Sequence, residues 1–141
     1  HGGRIGNLAG MAGTMLRLKP MITLKDGSID SSGVARSRKK SMAKVIELTK
    51  LYFEENHENP KDYIFSIGFG YDKAEGYEFK KMLDEMLQEI GVSEESRIVQ
   101  IGATICVHTG PYALGVGVMK KYEACAEACL TQEESRKRCT A

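Results

Sequence analysis

The sequence predicts a mixed α/β domain of two layers, with a mixed β-sheet covered by helices. Three observations predict it. After one hairpin, single short strands alternate with helices, an order that mixes parallel and antiparallel pairing. Phe79, Met82, Leu83, Met86, Leu87 and Ile90 recur at helical spacing and form the cleanest apolar stripe in the chain. The stretch from Ile101 to Met119 is almost wholly apolar, broken by one His108-Thr-Gly-Pro111 turn.

The elements follow in order. Ile5, Leu8, Ala9, Ala12 and Leu16 predict a helix over 5–18, and Met11, Met15 and Leu18 extend its apolar surface nearly all round. A helix so apolar is buried on most sides or lines a cavity. Pro20 stops it. Asp26-Gly27 between Met21–Leu24 and Ile29–Val34 predicts a hairpin. Ser37 suits the cap of a helix whose inner face is Met42, Val45, Ile46, Thr49, Tyr52 and Phe53. Tyr63–Ile67 reads as a strand, and Asp72 with Glu75 three residues on resembles a capping box. Gly91 ends the helix that follows. Arg97–Ile101 is a short strand, whereas Thr104–Val107 fits a strand or a short helix equally. Ala113–Met119 is the last strand. Gly115 and Gly117 leave one of its faces bare, so a cavity is expected between the layers beside it. Residues 120–141 read as a terminal helix that frays into a charged tail.

Composition excludes several classes. The 141 residues suffice for one domain with a core. Net charge is +1, which makes no case for the whole molecule binding nucleic acid or an acidic membrane. Lys, Glu or Asp interrupts every apolar run before it reaches the length of a membrane span. The opening His1-Gly-Gly-Arg4 has no apolar core of a secretory leader. Cys106, Cys125, Cys129 and Cys139 lack metal-site spacing and are read as reduced thiols in a cytoplasmic protein. No metal site and no cofactor are expected.

The chemistry concentrates at the turn. Gly110-Pro111 places His108 and Thr109 where two apolar runs meet, and an imidazole and a hydroxyl there suit a ligand with a polar head and an apolar body. A satisfied core histidine would fit the same residues. The run Arg36-Ser-Arg-Lys-Lys40 lies on a first helical turn, where the dipole disfavours cations, so Arg36, Arg38 and Lys39 suggest a use outside the fold. The competing use, a nucleic-acid-binding or regulatory module on this run and Lys44, lacks interleaved aromatics. A hydrolase with His108 as base lacks a legible nucleophile. Gly68-Phe-Gly70 lacks the third glycine and the acidic residue of a dinucleotide loop.

Several stretches, taken together and in order, resemble a known family. Gly3-Arg-Ile-Gly6, Leu18-Lys-Pro-Met-Ile22, Leu24-Lys-Asp-Gly-Ser-Ile29, Val34-Ala-Arg-Ser-Arg-Lys-Lys40 and Ile101 through His108-Thr-Gly-Pro111 to Gly115 are similar to the C-terminal domain of the DegV family of bacterial fatty-acid-binding proteins. The likeness runs from about Gly2 to about Tyr122. It implies a lipid-binding domain over 1–122, with 123–141 as a terminal helix and partly disordered tail. It also implies that this chain is the tail-binding half of a two-domain protein and lacks the N-terminal domain. In the family a long-chain fatty acid lies with its tail in this domain, and its carboxylate sits near the domain interface. The resemblance puts His108, with Thr109 and Gly110, at the carboxylate, and Arg4 close by. Leu8, Met11, Met15 and Met21 would line the tail cavity, methionine being adaptable to tails of differing length. Hydroxyl groups of the absent domain would complete the carboxylate site. The family hands the acid to a separate ATP-dependent kinase that phosphorylates the carboxylate, so the chain itself would be a non-catalytic subunit. Arg36, Arg38 and Lys39 would then meet the kinase. The family pattern often has Gly after the proline, where this chain has Tyr112.

Overall fold

The computed structural model describes residues 18–25 and 27–126. The predicted helix over 5–18 and most of the terminal helix therefore lie outside the described residues. The first described elements form a hairpin, β1 (Lys19–Lys25) and β2 (Ser28–Ala35), whose register pairs Lys25 with Ser28. Register shifts at Met21/Ile22, where Ser32 is the extra residue of a bulge. The hairpin is a sheet of its own and packs on the helix that follows it. Met21 and Ala35 are buried, while Leu24 is 74% exposed.

Helix α1 (Arg38–Asn56) starts at Ser37, whose Oγ accepts the Lys40 amide. It ends at His57 in the left-handed region, with the amides of His57 and Glu58 donating to the carbonyls of Glu54 and Phe53. Met42, Ile46 and Phe53 are buried. Tyr52, expected on the inner face, is 46% exposed and stands edge-on to the Phe53 ring, because the helix turns Phe53 into the core in its place.

After a 3-10 turn (Pro60–Asp62) comes β3 (Tyr63–Phe69), the central strand of the second sheet. It pairs in parallel with β4 (Arg97–Gln100) and antiparallel with β5 (Leu114–Lys120), in the order β4-β3-β5. The mixed sheet covered by helices is thus present. Alternate residues of β3 point to opposite faces. Tyr63, Phe65, Ile67 and Phe69 are buried against α1 and α2 (Lys73–Glu89). The α2 stripe supplies Phe79, Leu83, Met86 and Leu87 to this core, with Met82 and Ile90 at its margin.

The space between the sheet and these two helices is filled by side chains such as Ile67, Phe79, Leu83 and Leu87, each at most 1% exposed. The expected cavity therefore does not lie under α1 and α2. The room is beside Gly115, on the opposite face, whereas a Cβ on Gly117 would stand 2.7 Å from the Ser66 hydroxyl oxygen. There Ile64, Ser66 and Gly68 of β3 stand beside Met119, Gly117 and Gly115 of β5 and Val99 of β4. A Cβ on Gly115 would meet nothing within 4 Å among the described residues, and Met119 and Val99 are more than half exposed.

Asp72 Oδ1 caps α2 by accepting the Glu75 amide at 3.0 Å. The expected reciprocal bond of a capping box is replaced, because the Glu75 carboxylate turns to Arg38. Farther along α2, Asp84 accepts the Ser96 amide at 2.8 Å and pairs with Lys80. Burial pushes the Asp84 carboxyl upward, but its bonds to Lys80 and Ser96 outweigh this and hold it below the usual range. A carboxyl lowered on folding stabilises the protein above its unfolded pKa, about 3.9. That stability is lost as pH falls through the lower folded value. Asp84→Asn should therefore lower the urea midpoint at pH 7 and flatten the acid limb between pH 4 and 2. Parallel acid limbs in the two proteins would remove Asp84 as a source of pH dependence.

Candidate functional site

β4 leaves the sheet through Ile101, whose side chain lies over Gly68, 3.2 Å from where a Cβ would stand. The segment that fitted either strand or helix is a helix, α3 (Ala103–Thr109). Gly102 opens it, its carbonyl accepting the amides of Ile105 and Cys106. The Thr109 hydroxyl folds back onto the Ile105 carbonyl at 3.1 Å, and the Gly110 amide closes the last turn on Cys106. Gly110 leaves with φ 87°, a conformation that suits glycine. His108 is thereby fixed in the last helical turn. Its Nδ1 is buried and has no hydrogen-bond partner among the described residues. Such an atom costs free energy unless a further group reaches it.

The turn is bound to the end of the central strand. The Gly70 amide donates to the Ala113 carbonyl at 2.9 Å, and the Tyr71 amide to the Pro111 carbonyl at 2.7 Å. The rings of Tyr71 and Tyr112 meet edge to face at 6.0 Å. Gly70 is required by this approach, since a Cβ there would stand 2.1 Å from the Pro111 carbonyl oxygen. The Gln100 amide group donates to the Gly70 carbonyl at 3.1 Å and ties the end of β4 to the same corner.

The structure brings one member of the basic run to this turn. Arg38 Nε and Nη2 grip the two Glu75 carboxylate oxygens at 2.6 and 2.8 Å, and Nη2 also donates to the Tyr112 carbonyl. The expectation that nothing in the fold uses the run does not hold for Arg38. Its cost at the helix start is offset by the carboxylate of Glu75. Arg36, Lys39 and Lys40 are exposed, and Lys44 pairs with Glu47 at 2.8 Å. Sequence reasoning named Glu75 as a cap partner and Tyr112 as a departure from the family pattern, but it missed that they and Gly70 hold the turn, because their partners there lie far away in the chain. The sequence cue was Gly68-Phe-Gly70 at a strand end, read only for its lack of a dinucleotide pattern.

Of the other expected site residues, Thr109 and Gly110 lie in the turn, and Met21 is buried on β1 beside Gly33. Arg4, Leu8, Met11 and Met15 lie outside the described residues. Among the described residues no group of three or more His, Cys, Asp or Glu is placed to hold a metal. No described helix is long and apolar enough to cross a membrane.

These features define a small mixed α/β domain, its sheet backed by helices on one face and its imidazole carried on a turn at the end of the central strand. The chain belongs to the DegV family: a family profile described as "Uncharacterised protein, DegV family" matches residues 1–121. A stearic-acid-binding protein from Eubacterium ventriosum is 43% identical with a TM-score of 0.73, over 87% of this chain and 41% of that one. A DegV family protein from Thermus thermophilus, described for its fatty acid binding, is 29% identical with a TM-score of 0.66, over 84% of this chain and 40% of its own. A DegV domain-containing protein of Clostridium perfringens is 31% identical over 122 residues, 86% of this chain and 40% of the relative. The chain thus spans about two fifths of the length of the relatives it matches.

Proposed function

We propose that this chain holds the tail of a long-chain fatty acid and supplies His108 to its carboxylate. Its chief support is the likeness, over 87% of the chain, to a protein that binds stearic acid. The geometry adds a buried imidazole nitrogen that no described residue partners, and room beside Gly115 among the described residues. A carboxylate taken from water needs such donors. Burying an acyl tail contributes about 0.8 kcal/mol per methylene, roughly 10 kcal/mol gross for a long chain, part of which ordering offsets. The exposed apolar side chains Val99, Ile105, Val107 and Met119 fit contact with a tail or with further parts of a longer protein. Arg4 beside the head group and Leu8, Met11, Met15 and Met21 along the tail complete the reading. Calorimetry with stearate tests it: His108→Ala should weaken binding by roughly 1.5–3 kcal/mol, and unchanged affinity would return His108 to the core.

The second step, presentation of the carboxylate to a separate ATP-dependent kinase, uses the exposed Arg36 and Lys39. Positive charge there would steer an acidic partner surface and speed encounter at low salt. Arg36→Ala with Lys39→Ala should slow phosphorylation of bound acid while leaving acid affinity intact. An unchanged rate at low protein concentration would make these two residues a solvated face. Pairing of Arg38 with Glu75 and of Lys44 with Glu47 leaves the run fewer free cations for nucleic acid.

A further inference from the structure

We infer that Arg38 is a positioning residue for the histidine-bearing turn, and that Glu75 sets the guanidinium for that task. Three successive carbonyls follow Gly110, those of Pro111, Tyr112 and Ala113. Backbone amides of the β3 end take the first and third, from Tyr71 and Gly70. The middle one points elsewhere, and its donor is a side chain from another element, Arg38 Nη2.

The guanidinium suits this place because it is planar and offers several donors in a rigid fork. Nε and Nη2 bind the two oxygens of Glu75, which leaves Nη2 fixed in direction while it also reaches the carbonyl. Glu75 is itself fixed, because its amide is held by the Asp72 cap. Its side chain is 19% exposed and that of Arg38 31%, so solvent competes only in part for the pair. The starts of α1 and α2 and the turn between α3 and β5 therefore meet at one guanidinium. Lysine keeps the charge but, as a single point donor, cannot hold both carboxylate oxygens and the carbonyl in this geometry. The partner-facing part of the basic run is thereby reduced to its exposed members.

The consequence for ligand binding rests on the fatty-acid reading above, whereas the consequence for the turn does not. The test compares Arg38→Lys with two controls, Asp84→Asn for a general loss of stability and Lys44→Ala for loss of one charge from the same helix. Two quantities are read well below the unfolding temperature: stearate affinity, and the amide resonances of Gly110, Tyr112 and Ala113 without ligand. Arg38→Lys should shift those resonances and weaken stearate binding on the order of tenfold, the scale of one charge-assisted hydrogen bond. Glu75→Gln should shift the same resonances in the same direction by less. Neither control should move the resonances or the affinity. Resonances unchanged in Arg38→Lys, or moved equally by Asp84→Asn, would overturn the positioning role. Shifted resonances with unchanged affinity would confine that role to the fold. If the wild-type protein itself binds no stearate, the functional reading fails, and the ligand-free resonances still decide whether Arg38 sets the turn.

Discussion

Gly70→Ala is expected to break the corner that carries His108. The added Cβ would stand 2.1 Å from the Pro111 carbonyl oxygen and 2.9 Å from its carbon. Both are backbone atoms, so no side-chain rotation relieves the overlap. Either β3 or the turn must move, and the bonds from Gly70 and Tyr71 to Ala113 and Pro111 stretch together. Overpacking of this kind costs about 1–3 kcal/mol. The lost bonds add to it, and stearate affinity should fall with the displaced turn. Gly115→Ala is the contrast, because its Cβ meets no described residue within 4 Å, and its urea midpoint should stay close to that of the wild type. A Gly70→Ala protein with wild-type midpoint and wild-type resonances in the turn would show that this contact is looser than described.

Phe79→Ala should be the most damaging change in the core. The ring is 1% exposed and belongs to the cluster that joins α1, α2 and β3. Truncation of a buried phenylalanine costs about 3–5 kcal/mol, through lost transfer energy and the cavity left behind. A domain of this size has only about 5–15 kcal/mol in total. The urea midpoint should therefore fall steeply at nearly constant slope. A loss under about 1 kcal/mol would mean that the core closes over the gap, contrary to its close packing.

Much of the fold was legible because its signals are local. Asp26-Gly27 marked the hairpin, Ser37 and Asp72 marked helix starts, and the Phe79–Ile90 stripe marked α2. The short apolar run before the turn was ambiguous, since four residues do not separate a period of 2 from one of 3.6. Its helix is decided by the carbonyl of Gly102, which accepts two amides. The glycine face of the last strand was legible from Gly115 and Gly117, but not which side of the sheet it takes. The pairing of Gly115 with Gly68 and of Gly117 with Ser66 puts that face away from α1 and α2, a matter of how the strands meet rather than of local pattern. His108 stood out through its turn chemistry. The groups that hold that turn did not, because Arg38 meets residues 37 and 74 positions away. A charge run read locally is a surface, and one salt bridge across the fold changes that reading for one of its members.

Stearate labelled with ¹³C at its carboxyl carbon tests the central claim most directly. The account predicts that the carboxyl resonance shifts on binding to the protein and that His108 ring resonances shift at the same ligand concentration. His108→Gln should then return the carboxyl signal toward its free position while methylene signals along the tail remain perturbed. A bound carboxyl signal that is indifferent to His108→Gln, with unmoved His108 ring resonances in the wild type, would contradict it.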